Sequence, residues 1–306
     1  MQRTDLTGQG PFDSRHTVSG PSGECIVEIN GVELCLESFG RPGDPAVLLM
    51  AGATSSLDWW EEELCGRIAA GRRFVVRYDQ RDTGRSVTYE PGAPEYTSAD
   101  LIRDALGILD SFGLDAAHFV GMSMGGGLAQ WLAIAYPERV ATLTLVSTSP
   151  GSGGDLPPMS DELRDVFANP PPDPDWSDAD AVVDAMVEAW QPYNGSRPFD
   201  EGRLRAISRR VVERSKNVES SVKNHWLIES GGDSPGRAGL RDIAAPTLVV
   251  HGTHDPMFPL AHGEALAREI PDARLLPLEG MGHGYPPEWT WENFVPALLE
   301  HTASSA

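Results

Sequence analysis

Short, uninterrupted apolar runs alternate with amphipathic stretches along most of the chain. Cys25–Ile29 and Val32–Phe39 have the make-up of two strands, and the Asn30-Gly31 dipeptide between them suits the positive backbone angles of a type I′ hairpin. Ala46–Met50 (AVLLM) is apolar at every position, as expected of a strand covered on both faces. A helix is predicted over Trp59–Ala70, with Gly71 placed to close it. A strand over Phe74–Tyr78 and a helix over Ser98–Phe112 follow, then strand His118–Gly121, helix Gly125–Tyr136 and strand Leu143–Val146. Strand and helix in strict alternation predict an α/β fold, with a mostly parallel central sheet flanked by helices.

The rhythm stops after Ser149. From there to Ala244 no buried strand pattern is found, only a proline-rich stretch (Pro157, Pro158, Pro170, Pro171, Pro172, Pro174) and helical segments. Asp178–Gln191 spaces Val182, Met186 and Trp190 four apart as one apolar stripe, and Gly202–Val218 and Val222–Glu229 read as further helices. The alternation resumes with strand Thr247–Val250, helix Leu260–Ile270, strand Arg274–Leu278 and helix Trp291–Glu300. The pattern predicts one sheet domain, residues 25–148 and 245–306, interrupted between late strands by a helical cap over residues 149–244. Residues 1–24 are rich in Gly, Ser, Thr and Pro and hold no apolar run of signal-peptide length, so a flexible tail and no signal peptide are expected.

Composition narrows the function. With 24 basic against 45 acidic residues, a net charge of -21, the surface repels nucleic-acid backbones and anionic lipid, so neither nucleic acid nor membrane is an expected partner. No stretch approaches the roughly 18 apolar residues of a membrane span. Cys25, Cys35 and Cys65 have neither disulfide nor zinc spacing and read as small core residues of a cytoplasmic protein. No metal spacing, phosphate cradle or dinucleotide fingerprint is present, so no cofactor is expected. Oligomeric state is not legible.

The sharpest local signal is Gly121-Met122-Ser123-Met124-Gly125, lying where a strand turns into a helix. A serine at such a turn has its hydroxyl pushed out above the sheet, and the helix N-terminus behind it favours developing negative charge. Ser123 is therefore the candidate nucleophile. It needs a general base and a group to orient that base, in the chain order serine, acid, histidine. Of the later histidines, His283 lies in a glycine-rich loop (Gly280-Met281-Gly282-His283-Gly284) after the last strand and is the candidate base. His225, His262 and His301 sit on or beside helices and read as solvated or packed, and His251 as core or loop-stabilising. Asp255, the first acid after strand Thr247–Val250, is the candidate third member; its alternative role is to cap a turn, and Asp155 and Asp161 are weaker candidates. An oxyanion hole would draw one amide from Met124 and a second from Ala53, or from Gly52 if the turn sits one residue differently. The loop Asp79–Ser86 reads as ion-paired and structural, holding the sheet edge.

These motifs, RYDQRDTGRS (Arg77–Ser86), GMSMG (Gly121–Gly125), HGTHDPMFP (His251–Pro259) and GMGHG (Gly280–Gly284), resemble those of the α/β-hydrolase-fold serine hydrolases over nearly the whole span from Cys25 to His301. Within that superfamily the D-x-R-D-T-G-x-S version of the first motif is most similar to that of the aclacinomycin methylesterases, which remove a methyl ester from an aromatic polyketide. The resemblance implies a Ser123–Asp255–His283 triad, a helical cap, no cofactor and an apolar small-molecule ester as substrate. Many members carry His-Gly-x after the third strand; Ala51 stands in place of that histidine here, so a side chain that braces the loop is missing. Trp190, Tyr193, Phe199 and Trp226 either line an aromatic-accepting pocket or form the cap's own core. The same apparatus serves lactonases, C–C hydrolases, perhydrolases and amidases, and a non-catalytic small-molecule receptor or a histidine-only natural-product cyclase are the readings from other classes.

Overall fold

The computed structural model describes residues 23–151, 154–232 and 234–303, so the tail expected over residues 1–24 lies almost wholly outside the described residues. Eight strands form one sheet: β1 (Cys25–Ile29), β2 (Val32–Phe39), β3 (Ala46–Met50), β4 (Phe74–Tyr78), β5 (Ala117–Met122), β6 (Val140–Val146), β7 (Thr247–Gly252) and β8 (Ala273–Leu278). Their order across the sheet is β1-β2-β4-β3-β5-β6-β7-β8. The β1–β2 and β2–β4 pairs are antiparallel and the rest parallel. Asn30 and Gly31 both take positive φ, 52° and 78°, as the predicted hairpin requires.

The apolar run of β3 divides by the period of two between the two faces of the sheet. Ala46, Leu48 and Met50 join one buried cluster, with Leu101, Ile102 and Ala105 of helix α2 (Ser98–Ser111) and Leu128 and Leu132 of helix α3 (Met124–Ala135). Val47 and Leu49 join the other, with Leu64 and Ile68 of helix α1 (Glu62–Ala70) and Phe294 and Leu298 of a C-terminal helix, Trp291–His301. Burial on both faces is why these strands show no alternation in sequence. The chain leaves β4 for β5 on the far side of β3, so the loops after β3 and β5 part to opposite sides. A crevice at the strand C-termini is the usual site in such sheets.

Between β6 and β7 lie helices α4 (Asp161–Ala168), α5 (Ala179–Trp190), α6 (Glu201–Arg214) and α7 (Val218–Asn224), with α5 packed on α6. After β7 come α8 (Ala261–Glu269) and, after β8, α9 (Trp291–His301). Each of the four inserted helices begins on a side-chain cap: Ser160, Asp178, Asp200 and Asn217 accept backbone N–H groups of the first turn. Those caps correct the sequence expectation in three places. Helix α4 follows the first prolines, where none was predicted. The helix predicted over Gly202–Val218 stops at Arg214. The one predicted over Val222–Glu229 starts four residues early, because Asn217 nucleates it. The helix predicted from Trp59 also divides: a 3-10 turn, Leu57–Trp59, precedes α1, and Trp60 and Glu61 break the two. The Trp60 carbonyl there is taken by the buried Arg77 guanidinium. No helix among the described residues is long and apolar enough to cross a membrane.

Candidate active site

Ser123 stands between β5 and α3 with φ 50° and ψ −114°, a backbone conformation few non-glycine residues adopt. The chain holds it there because the glycines two residues to either side allow a close approach. A Cβ on Gly121 would lie 2.3 Å from the Gly125 carbonyl oxygen, and one on Gly125 would lie 2.5 Å from that of Ala51. The strain at Ser123 is thus imposed by packing, as at many functional turns. The Ser123 amide donates to the Val146 carbonyl, and the Thr148 hydroxyl donates to the Ser123 carbonyl, so the turn is fixed from both sides.

The structure brings the three candidate triad residues together from three strand ends. His283 Nε2 is 3.1 Å from Ser123 Oγ, and His283 Nδ1 is 2.9 Å from Asp255 Oδ2. Asp255 is also the turn cap weighed as its alternative role: Oδ1 accepts the amides of Met257 and Phe258. One carboxylate is placed for both, Oδ2 facing the imidazole and Oδ1 the two amides. Burial alone would raise its pKa, but the His283 and His251 rings and the Phe258 amide outweigh that and hold it below the ordinary value. Burial lowers the His251 pKa; its Nε2 faces the Phe258 carbonyl at 2.7 Å and Asp255 Oδ2 at 3.5 Å. His251 is thereby a brace for the acid's loop.

The His283 loop is anchored on the inserted segment. The His283 amide donates to the Tyr193 carbonyl at 2.9 Å, and Ser196 donates to the Gly280 carbonyl at 3.1 Å. Tyr193 and Phe258 rings flank the imidazole, each 5.7 Å or less from its centre.

Of the two residues considered for the second oxyanion donor, Gly52 is engaged: its N–H donates to the Tyr285 hydroxyl at 2.8 Å. The amides of Ala53 and Met124 have no hydrogen-bond partner among the described residues. The brace that Ala51 cannot supply comes from elsewhere. Gln80 Nε2 donates to the Ala51 carbonyl at 2.7 Å, Tyr285 takes the Gly52 amide, and His225 Nδ1 takes the Thr54 amide at 2.8 Å. Sequence reasoning missed all three residues, since they come from three distant parts of the chain.

The Asp79–Ser86 loop is more deeply buried than a loop along the sheet edge would be. Asp79, fully buried, accepts amides from Leu57 and Arg85 and an N–H from Arg214 of α6. Arg81 makes two hydrogen bonds to Asp104 of α2, at 2.7 and 2.9 Å. Asp82 accepts from Asn224 and from the Tyr89 amide. The ion pairing was legible; that it ties the inserted helices to the sheet was not. The weaker acids are elsewhere: Asp155 pairs with Arg237, and Asp161 with Arg164, both on the surface. His262 and His301 are buried against the carbonyls of Pro157 and Leu143. Among the described residues no group of three His, Cys, Asp or Glu side chains is arranged to hold a metal ion.

A cleft of about 110 Å³ opens beside His283, lined among others by that residue, Trp59, Trp190, Tyr193, Phe199 and Tyr285. Trp190 packs on Trp59 with ring centres 4.4 Å apart, and Tyr193 lies between Trp190 and His283. Three of the four aromatic residues singled out in the insertion are thus in this wall. Trp226 is not; it is 55% exposed and packs edge-on to Phe167.

Comparison with known proteins agrees with this arrangement. Residues 45–285 match the family described as alpha/beta hydrolase fold. The chain is 33% identical over 289 residues to the rhodomycin D methylesterase DauP of Streptomyces sp. (strain C5), covering 90% of this chain and 96% of that protein. It is 32% identical, with the same coverage, to the rhodomycin D methylesterase DnrP of Streptomyces peucetius. Among solved structures, the enol-lactonase from Burkholderia xenovorans LB400 superposes with a TM-score of 0.69 at 25% identity, covering 91% of this chain and all of that one.

Proposed function

The chain belongs to the alpha/beta hydrolase fold family, and on that premise we propose that it cleaves an apolar small-molecule ester through an acyl-enzyme on Ser123. Its likeness to two methylesterases over nine-tenths of its length makes it a carboxylic ester hydrolase. The observation that carries the mechanistic reading is the hydrogen-bonded line from Ser123 Oγ through His283 to Asp255, 3.1 and 2.9 Å.

In that mechanism His283 Nε2 takes the Ser123 proton as Oγ attacks the ester carbonyl. Asp255 accepts from Nδ1–H, fixes the ring tautomer and stabilises the imidazolium. The oxygen that gains charge is met by the free amides of Met124 and Ala53, aided by the N-terminus of α3. His283 then protonates the departing alkoxide. Water, activated by the same imidazole, attacks the acyl-enzyme, and the acid leaves as Ser123 regains its proton. No metal or redox group is needed for any step of this sequence.

For the substrate we propose a methyl ester on an aromatic scaffold, held against Trp59, Trp190 and Tyr193 in a cleft that residues 149–244 close as a cap. The kinship with rhodomycin D methylesterases and the aromatic wall beside His283 both support it. The test is a panel of methyl esters of aromatic polyketides beside simple acyl esters, run with wild type and Ser123→Ala. Turnover of aromatic methyl esters that vanishes in Ser123→Ala is expected. Turnover that survives in Ser123→Ala but not in His283→Ala would replace this reading by histidine-only chemistry. No turnover of any ester would leave a binding role.

A further inference from the structure

We propose that His225 is a positioning residue for the oxyanion-binding loop, so that the inserted helices complete the catalytic geometry as well as bounding the cleft. The inference rests on the reading of Ser123 as nucleophile and Ala53 as donor. His225 follows α7 directly, and its buried ring spans two loops of the sheet domain. Nδ1 accepts the Thr54 N–H at 2.8 Å, and Nε2 faces the Arg81 carbonyl at 2.8 Å. Accepting at Nδ1 leaves the ring's one proton on Nε2, where the carbonyl takes it, so both contacts are satisfied by a single neutral tautomer.

Thr54 is the residue that most needs such a hold. Its φ of 64° lies in the left-handed region, where a β-branched residue is a true outlier. The Ala53 N–H belongs to the peptide before it, Gly52–Ala53, which lies between two anchored peptides: Tyr285 holds the Gly52 N–H on one side and His225 the Thr54 N–H on the other. Without His225 the Ala53–Thr54 peptide keeps only the long Ser55 hydroxyl contact to the Ala53 carbonyl, 3.3 Å, so the strained turn at Thr54 can relax and the intervening peptide that carries the Ala53 N–H loses one of its two fixed ends.

The imidazole is itself firmly seated. Next to it, Asn224 donates to Asp82 at 2.9 Å, Ser221 donates to the Asp82 carbonyl and Ser220 to the Tyr89 carbonyl. The D-x-R-D-T-G-x-S loop thus forms the platform on which α7 docks, and Arg81 supplies the carbonyl that orients His225. The role is indirect: His225 acts on the reacting atoms only through Thr54 and Ala53.

The experiment compares His225→Phe and His225→Asn in the full chain on an oxygen ester and its thionoester, in which sulfur replaces the carbonyl oxygen and gains little from amide donors. For the Phe variant kcat on the oxygen ester is expected to fall about tenfold to a hundredfold, with KM within about twofold and a smaller loss on the thionoester. Asn carries an acceptor close to the position of Nδ1 and is expected to recover most of the loss. Wild-type kcat in the Phe variant, or equal losses on both esters with no recovery by Asn, would overturn the proposal. If the Phe variant does not fold, Asn is set against His225→Gln, whose acceptor lies one bond farther out. Asn should exceed Gln in kcat about fivefold or more, and equality overturns the proposal. Oxygen-ester turnover that persists in Ser123→Ala would instead remove the reading of Ser123, an outcome distinct from any result at His225.

Discussion

The Tyr285 hydroxyl, two residues beyond His283, lies 2.8 Å from the nitrogen of Gly52, one residue short of the proposed oxyanion donor, and accepts its N–H. The contact spans 233 positions of sequence and links the loop after β3 to the segment that follows His283. The ring is buried and sits edge-on to Trp60, 4.9 Å between centres, so removal of the hydroxyl alone leaves its packing intact. Tyr285→Phe should lower kcat about threefold to tenfold, the worth of one hydrogen bond that orients the loop. Steady-state kinetics with a short p-nitrophenyl ester, beside a thermal midpoint, check it; an unchanged kcat would separate the loop's order from Tyr285.

Asp255→Asn is expected to cost on the order of 10⁴-fold in kcat, as loss of the acid does in triads of this geometry. Asn keeps a carbonyl oxygen for the Met257 and Phe258 amides, so the turn should stand and the thermal midpoint should hardly move. Asp255→Ala removes both functions and should lower stability as well. Equal thermal midpoints for the two variants would argue against the turn-capping role of Oδ1.

Trp190 forms the wall of the cleft with Trp59. Trp190→Ala should reduce kcat/KM about tenfold for an ester with a fused aromatic scaffold, and within about twofold for an acetate ester. Equal losses on both would assign the ring to the packing of the insertion instead.

Arg214 of α6 meets Glu24, Asp58 and Asp79 at 2.7, 2.5 and 2.9 Å, with its side chain 12% exposed. Burial by itself would raise the Glu24 pKa, yet Arg214 and Arg85 hold it down at about 2. Arg214→Met leaves three buried carboxylates short of their main counter-charge. Breaking a buried pair in this way costs about 3–5 kcal/mol, to be read from denaturant unfolding. Arg205→Met, which breaks only exposed pairs with Asp184 and Glu201, serves as control and should unfold with the wild type.

His118, buried in β5 beside Thr142, has its pKa lowered to about 4 by burial first, then by the charges of Arg73 and His301. The unfolded chain binds a proton near pH 6.5 that the folded chain refuses until about pH 4. Stability from this group is therefore full above pH 6.5 and is lost as pH falls through that window, at up to about 1.4 kcal/mol per pH unit. His118→Asn should flatten the pH dependence of the unfolding free energy between those limits by up to one proton. A slope equal to that of wild type would show that other groups carry it.

Much of this was legible along the chain, for identifiable reasons. The apolar runs at Ala46–Met50, Phe74–Tyr78 and Thr247–Val250 have no alternation because both faces of a parallel sheet are covered, and that fixes α/β architecture from local composition alone. The G-x-S-x-G turn is equally local, since Gly121 and Gly125 are demanded by contacts within a few residues of Ser123 and its neighbouring strand end. Chain order and loop position then single out Asp255 and His283, both of which end at the same crevice.

What the tertiary structure alone decided are the supports. Helix ends in the insertion were misread because Ser160 and Asn217 act as caps only through particular backbone amides, and capping residues also occur throughout loops. Ala51 suggested a loop without a brace; the braces are Gln80, His225 and Tyr285, brought there by β4, the segment after α7 and the loop after His283. A periodic pattern reports which face of an element meets the core. It carries no record of which distant side chain will reach a given amide, because that depends on how the elements stack and on where the insertion docks.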